Sequence, residues 1–251
     1  MKTAYLSDKG KVRSINEDGV GVFPLQNNGI LAVIADGMGG HNAGEVASAM
    51  TINYLSDVVE NIPESMTPRE AEEWMLEHLK AINVGIFEKA KTEPDCNGMG
   101  TTIVAALCYE SFTTIAHVGD SRCYKFNQNG VTMLTEDHTL VNELVKNGQI
   151  TREDAIHHPR KNILSRAIGT EESVEIEIHT REWEEGELLL LCSDGLSNKV
   201  MLEEQSTLLE HYSNLDNVAQ ALVTIANENG GEDNITLALV FNDGSKEQKS
   251  S

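Results

Sequence analysis

Four aspartates stand where apolar segments of this 251-residue chain begin or end. Three apolar segments run into an aspartate beside a glycine, and a fourth segment begins just after one: Asp36, Asp120, Asp194 and Asp233. Because strand ends in one sheet system can lie close together, these carboxylates could surround one point. Bare carboxylates so close would repel one another and raise each other's pKa. Hard divalent cations such as Mg²⁺ and Mn²⁺, which prefer oxygen ligands, would relieve that repulsion.

Each aspartate also has an ordinary explanation, because Asp-Gly at the end of a strand is a common turn signal. For a single Asp-Gly the turn is the better interpretation. The joint pattern of four such positions in a chain of enzyme size favours a metal cluster. A glycine such as Gly37 would let the backbone approach a metal, and its carbonyl could serve as a further ligand.

The segments that must position these aspartates are rich in apolar and β-branched residues, which predicts strands. The predicted strands are Ile30–Ala35, Thr101–Cys108, Phe112–Val118, Cys123–Phe126, Val174–Ile178, Leu188–Cys192 and Ile235–Phe241. Short polar connections at 109–111 and 127–130 predict two hairpins.

Helices are predicted between these groups of strands. Ala43–Val59 carries an apolar stripe at helical spacing, and Thr67-Pro68-Arg69-Glu70 is a capping box that opens a second long helix. Shorter helices are expected over Thr139–Lys146 and from about Asp216 to Asn227. Strict strand–helix–strand alternation is absent, so the order predicts an α+β fold with antiparallel sheets covered by helices.

Composition narrows the function classes. Forty acidic against 19 basic residues give a formal net charge of −21, which repels nucleic acids and anionic membranes. The four cysteines form neither a disulfide framework nor a zinc pattern, so a reducing cytoplasm fits. No apolar run is long enough to span a bilayer, and no apolar signal segment begins the chain. With no coiled-coil pattern either, we expect a monomer.

One domain is predicted over residues 1–242, followed by a polar tail at 243–251. Residues 137–170 differ from the rest, with a short helix, polar turns and a basic cluster around His157 and His158. They could form a flap over a site, and an ordinary surface insertion is an equal alternative.

At this point the sequence resembles the PPM family, the PP2C-type protein phosphatases, and in particular its bacterial branch. The resemblance runs in order along nearly the whole chain. It is carried by Arg13-Ser-Ile-Asn-Glu-Asp18, Ala35-Asp-Gly-Met-Gly-Gly-His41, Gly98-Met-Gly-Thr-Thr102, His117-Val-Gly-Asp-Ser-Arg122, Asn162-Ile-Leu-Ser-Arg-Ala-Ile-Gly169, Cys192-Ser-Asp-Gly-Leu196 and Glu232-Asp-Asn-Ile-Thr236.

The resemblance implies a central β-sandwich of two antiparallel sheets flanked by α-helices. It implies two Mn²⁺ or Mg²⁺ ions, with Asp36 bridging them. Asp194 and Asp233 would complete the ligands of the first ion, and the carbonyl of Gly37 would bind the second. A third ion, held by Asp120 and Asp194, occurs in many bacterial relatives.

It also implies catalytic roles. Arg13 would grip the substrate phosphate, Asp18 would hold water beside the metals, and Asn234 would support that water. For Arg13 alone, a surface ion pair is the ordinary alternative. His41 is a candidate general acid, because animal-type relatives carry a histidine directly after Asp-Gly where this chain has Met38. His41 could equally be structural at the start of the Ala43 helix, and metal-bound water could be the acid.

The function implied is metal-dependent hydrolysis of phosphoserine and phosphothreonine in proteins, reversing a serine/threonine kinase. Phosphorylated proteins and a cognate kinase are the expected partners. A catalytically inactive module that senses phosphoproteins or metals is the alternative, although it predicts losses among the metal aspartates that this sequence does not show. A small phosphoester substrate remains open, since the chemistry at phosphorus is the same.

Overall fold

The computed structural model describes residues 1–26, 28–40, 43–202 and 214–244. Within them we number eleven strands and six helices. The strands are β1 Lys2–Asp8, β2 Asp18–Pro24, β3 Ile30–Met38, β4 Gly100–Thr101, β5 Ile103–Cys108, β6 Phe112–Val118, β7 Arg122–Asn127, β8 Gly130–Met133, β9 Glu177–Glu182, β10 Leu188–Cys192 and β11 Ile235–Phe241. The helices are α1 Ala43–Val59, α2 Pro68–Thr92, α3 Leu140–Lys146, α4 Arg152–Ile156, α5 Asp194–Ser197 and α6 Leu215–Glu228.

Two antiparallel sheets form the centre of the molecule. One has the strand order β1-β11-β10-β7-β8, and the other has the order β2-β3-β5-β6-β9, with β4 paired to β3. All of these pairs are antiparallel. The predicted sandwich is therefore confirmed.

The alternation of side chains along each strand builds three apolar layers. On β3, Ala32 and Ile34 face the space between the sheets, whereas Leu31 and Val33 face the layer formed by α1 and α2. On the other sheet, β10 and β11 present apolar side chains to α6. Both faces of these strands are covered, which explains why their sequences are continuously apolar.

The helix signals in the sequence have clear structural counterparts. Thr67 caps α2 in the predicted capping box: its hydroxyl accepts from the backbone N–H of Glu70, and the Glu70 carboxylate accepts from Thr67 N–H at 2.7 Å. The predicted hairpins are also present, with Asn127 paired to Gly130 between β7 and β8. Gly130 has φ 107°, a left-handed conformation that glycine adopts readily.

The sequence missed several short or polar elements. β1 and β2 lie at sheet edges and contain polar residues or glycine, so their apolar signal is weak. The strand expected over Val174–Ile178 is shifted: β9 begins at Glu177 and runs to Glu182. Val174 packs against the core beneath α2 without joining the β6–β9 ladder, so apolar character alone misplaced the strand. No helix among the described residues has both the length and the apolar character to cross a membrane.

Candidate active site

The strand-end aspartates meet at one end of the sandwich. Asp18 opens β2 and lies opposite Asp36 near the end of β3. Asp120 follows β6, Asp194 begins α5 directly after β10, and Asp233 precedes β11. β3 and β6 belong to one sheet and β10 and β11 to the other, so both sheets contribute carboxylates to the same place.

A cavity of about 580 Å³ opens at this end of the sandwich. Its walls include Asp36, Asp120, Asp194 and Asp233, together with Gly37. Asp18 does not line the cavity and lies behind it, hydrogen-bonded to Ser193. The structure therefore brings together all four aspartates that the sequence predicted as metal ligands and the glycine that was expected to join them.

Burial and mutual repulsion raise the pKa values of these carboxyls. Burial, followed by repulsion from Asp18, Asp194, Asp120 and Asp233, raises the pKa of Asp36 well above its ordinary value. Burial and then repulsion from Asp194 raise the pKa of Asp120 to about 7. Burial and then repulsion from Asp233 raise the pKa of Asp194 to about 6. Such a cluster is destabilised by its own charge at neutral pH and would be stabilised by cations.

Unpartnered oxygens show that the protein alone does not satisfy this site. Asp18 Oδ1 and Glu17 Oε1 are buried and have no hydrogen-bond partner. Within the described ranges, no three of the aspartates bring one oxygen each within 4.8 Å of one another, so three of them could hold one cation only after drawing closer. The oxygen-rich donor set with its orphaned oxygens still fits hard divalent cations.

The glycines beside the aspartates are required by backbone packing. A Cβ on Gly37 would collide with the backbone of Gly44 and Glu17, and a Cβ on Gly195 would collide with the carbonyl of Asn234. From the sequence, a glycine at such a position was expected to let the backbone approach a metal ion. The structure adds that they let neighbouring chain segments pack closely around the carboxylates.

Two threonines fix the peptide of Asp36. Thr102 N–H donates to the Asp36 carbonyl at 2.8 Å, and Asp36 N–H donates to Thr102 Oγ1 at 3.1 Å. Thr101 Oγ1 also donates to the Asp36 carbonyl at 2.9 Å. The buried threonine pair therefore hydrogen-bonds to the backbone of the central aspartate.

Ser193 holds Asp18 from the opposite sheet. Its hydroxyl donates to Asp18 Oδ2 at 2.8 Å and accepts from Thr236 N–H at 3.1 Å. Burial raises the pKa of Asp18 to about 6, although the hydrogen bonds with Thr236 and Ser193 act in the opposite direction. Ser193 therefore orients a carboxylate, and its hydroxyl proton is used in doing so.

Arg13 lies at the rim of the cavity. Its Nη2 donates to Asp233 Oδ2 at 2.8 Å, and its side chain is 46% exposed. The ion pair that was the ordinary alternative for Arg13 is therefore present, but its partner is one of the aspartates that line the cavity. A guanidinium has five N–H donors, so donors remain for a bound anion.

Asn234, which the resemblance placed beside metal-bound water, lines the cavity and uses its amide in hydrogen bonds to the backbone. Its Oδ1 accepts from Glu17 N–H at 2.8 Å, and its Nδ2 donates to the carbonyls of Lys9 and Ile15 at 2.9 and 3.0 Å. These three bonds span the loop that carries Arg13. The Asn234 amide thus fixes the entry to the site through the backbone.

The histidines have separate outcomes. His41 lies outside the described residues, so its role stays a prediction. His117 is buried and donates from Nε2 to the Glu136 carbonyl at 2.9 Å, as expected for a packed, hydrogen-bonded histidine. His157 and His158 do not line the cavity.

The segment 137–170 contributes part of the cavity wall. Asn162, Leu164, Ser165, Arg166 and Ala167 all line it. Arg166 belongs to one of the motifs that carry the family resemblance, but the sequence predicted no role for it. The structure adds it as a second guanidinium in the wall, paired with Glu175 at 3.0 Å.

A histidine cluster lies behind Asp120. His117, His138 and Glu177 bring potential ligand atoms within 4.8 Å of one another. Gly119 N–H donates to His138 Nδ1 at 3.2 Å, which leaves the imidazole proton on Nε2, where it is donated to Glu177 Oε2 at 3.2 Å. A metal at Nε2 would require a proton on Nδ1 facing the Gly119 N–H. The hydrogen bonding therefore favours a metal-free cluster in which His138 links Gly119 to Glu177.

Comparisons with known proteins agree with this geometry. Residues 10–238 match the family model described as protein phosphatase 2C. The serine/threonine phosphatase stp of Listeria welshimeri is 45% identical over 240 residues, which cover 96% of this chain and 95% of that protein. A serine/threonine phosphatase of S. agalactiae has a similar structure, with a TM-score of 0.90 and 41% identity, covering 96% of this chain and 98% of that one.

A further structure similar to this one contains metal. The catalytic domain of the serine threonine protein phosphatase PstP, in complex with two manganese ions, gives a TM-score of 0.81 at 35% identity. The match covers 95% of this chain and 96% of that one. From the family model, the identity over nearly full length and the shared sandwich, this chain belongs to the protein phosphatase 2C family.

Proposed function

We propose that this chain hydrolyses phosphoserine and phosphothreonine in proteins, using divalent cations held by the aspartate cluster. The observation that carries the proposal is the convergence of four carboxylates and Arg13 on one open cavity in a member of this family. In the cell, the proposed setting is the cytoplasm, where the enzyme would act as a monomer and oppose a serine/threonine kinase.

The cations would be Mn²⁺ or Mg²⁺, two in number with a third expected near Asp120. Asp36 would be shared by two ions, with Asp194 and Asp233 completing one ligand set and the Gly37 carbonyl joining the other. Asp120 and Asp194 would hold the third ion. When bound, such cations offset the charge of a phosphomonoester and lower the pKa of water, which supplies the nucleophile.

The side chains around the cations would bind and orient. Arg13 would grip two phosphate oxygens with the donors that Asp233 leaves free. Asp18, steadied by Ser193, would accept a hydrogen bond at Oδ1 from the attacking water. The leaving seryl or threonyl oxygen must receive a proton, and the two predicted donors are His41 and metal-bound water.

Composition supports a protein substrate over a nucleic acid. The net charge of −21 repels polyanions, whereas a single phosphorylated side chain entering a cation-loaded cavity is compensated locally. All the aspartates whose loss an inactive binding module would predict are present and line the cavity. An active enzyme is therefore the better interpretation of the site.

The test is release of phosphate from a phosphothreonine peptide, with and without Mn²⁺. We expect release only with the cation, and loss of at least about 100-fold in Asp36→Asn. Asp57→Asn, at an exposed position of α1, is the matched control and should keep native activity. Metal-independent release, or native activity in folded Asp36→Asn, would refute the proposal.

A further inference from the structure

A second cavity adjoins the first. It measures about 520 Å³ and shares Asp120, Asn162 and Asp194 with the catalytic cavity. Its remaining walls come from β7, β8, the residues before α3, the helices α3 and α4, Lys161 after α4 and Asn198 after α5. A ligand whose phosphate lies against the shared aspartates would therefore have its neighbouring groups at the mouth of the second cavity.

Apolar side chains line one part of this second cavity. Met133 is 46% exposed and Ile156 is 63% exposed, and both belong to its walls beside Val145. Exposed apolar surface in a concave site beside a polar centre is typical of a binding surface. A partner that covers these side chains with its own apolar group would remove them from water.

The charges of the cavity leave a positive excess away from the aspartates. Its two other acids are already paired: Asp137 with Arg122 at 2.7 Å, and Glu136 with Lys146 at 3.1 Å. Arg152 and Lys161 also line the cavity, and neither forms an ion pair with any residue that the structure describes.

The two side chains are therefore available to a negatively charged partner. Two positive side chains that line the same cavity as the apolar ones match a partner that offers both an acidic and an apolar group. A small free anion would use the charges but leave Met133 and Ile156 uncovered. A polypeptide segment would use both features.

We propose that the second cavity binds the segment of the phosphoprotein substrate that flanks the phosphorylated residue. It selects an apolar side chain, packed on Met133 and Ile156, with a nearby acidic side chain at Arg152 and Lys161. This inference rests on the proposed phosphatase function. Because the two cavities share part of their walls, the selected side chains belong to residues close in sequence to the phosphorylated one.

The test compares three substrates on the full chain with Mn²⁺. The first is a phosphothreonine peptide with isoleucine and glutamate at flanking positions, and the second has serine and glutamine in their place. The third is p-nitrophenyl phosphate, which has no flanking residues. We expect the native chain to prefer the first peptide over the second by about tenfold in kcat/KM.

Substitutions then separate the second cavity from the catalytic one. In Ile156→Ser the KM for the first peptide should rise about fivefold to tenfold, with p-nitrophenyl phosphate turnover within twofold of native. The double variant Arg152→Glu and Lys161→Glu should raise the same KM, and the effect should shrink at high salt. Val84→Ser and Lys80→Glu, at exposed positions of α2, are the matched controls.

Each outcome decides the matter. Equal hydrolysis of both peptides by the native chain, or equal losses on all three substrates in the variants, would overturn the proposal while leaving the phosphatase function intact. A native chain that releases phosphate from none of the three substrates would instead overturn the proposed function, and this inference with it.

Discussion

Without cations, the carboxylate cluster should destabilise the fold, and neutralising one member should stabilise it. Burial and repulsion from Asp233 raise the pKa of Asp194 from 3.8 to about 6. One pKa unit corresponds to about 1.4 kcal/mol, so keeping Asp194 charged at neutral pH costs about 3 kcal/mol. Asp194→Asn removes that charge and can keep an acceptor for the Asn198 amide, now at 3.1 Å.

We therefore expect metal-free Asp194→Asn to be more stable than the native chain at pH 7.5. Part of the cost is burial of a polar group, which asparagine retains, so the gain should be about 1–3 kcal/mol. For a domain of this size that corresponds to a Tm increase of about 2–12 °C. Thermal unfolding in the presence of a chelator measures it, with Asp57→Asn as the exposed control.

The sign with pH follows from the same shift. The folded pKa of Asp194 lies above its unfolded value, so the folded state binds more protons between about pH 4 and 6. Its contribution to stability is present below 3.8 and is lost as pH rises through about 6. The advantage of Asp194→Asn should accordingly grow as pH rises from 4 to 7.5.

Added Mn²⁺ should reverse the order of stability. A ligand at 100 times its dissociation constant stabilises the folded state by about 2.7 kcal/mol. Asp194→Asn has lost the negative charge of one metal-ligand side chain, so Mn²⁺ should stabilise it less. A metal-free Asp194→Asn that is no more stable than native at pH 7.5 would refute the reasoning about repulsion. Equal stabilisation of both proteins by Mn²⁺ would refute the role of Asp194 in binding.

Three further predictions follow from hydrogen bonds around the site. Asn234→Ala removes three bonds to the loop carrying Arg13, so urea unfolding should show a loss of about 2–4 kcal/mol and kinetics a higher KM for phosphopeptide. An unchanged KM would contradict this positioning role. His138→Asn keeps an acceptor near the Gly119 N–H, whereas His138→Gln does not. Calorimetry should therefore show weaker Mn²⁺ binding in the glutamine variant only. Equal affinities in the two variants would contradict it. Burial lowers the pKa of His117 below 6.5, so its neutral form stabilises the fold above pH 6.5 and that contribution is lost as pH falls. The Tm advantage of native over His117→Gln should therefore shrink between pH 7 and 5, and a constant difference would refute the assignment.

The sequence was most informative where a residue's neighbours in the chain decide its structure. The continuous apolar run of β10 and the capping box before α2 both predicted their elements, because burial and local hydrogen bonding are encoded within a few residues. Edge strands such as β1 carry mixed polar residues, and their existence depends on pairing with a distant strand.

The site shows the same division. Aspartates at strand ends could be found from the sequence, because position relative to an apolar run is a local feature. The three hydrogen bonds of Asn234 link residues more than 200 positions apart, and no local pattern announces them. The second cavity likewise depends on how α3 and α4 pack beside β8, which a count of charges in the segment 137–170 does not reveal.

The central claim is that the strand-end aspartates hold the catalytic cations. The most direct measurement is a crystal structure with Mn²⁺ and an anomalous difference map at the manganese edge. The account predicts peaks inside the catalytic cavity, at about 2 Å from oxygens of Asp36, Asp194 and Asp233. No peak there, or manganese bound only at His117, His138 and Glu177, would contradict it.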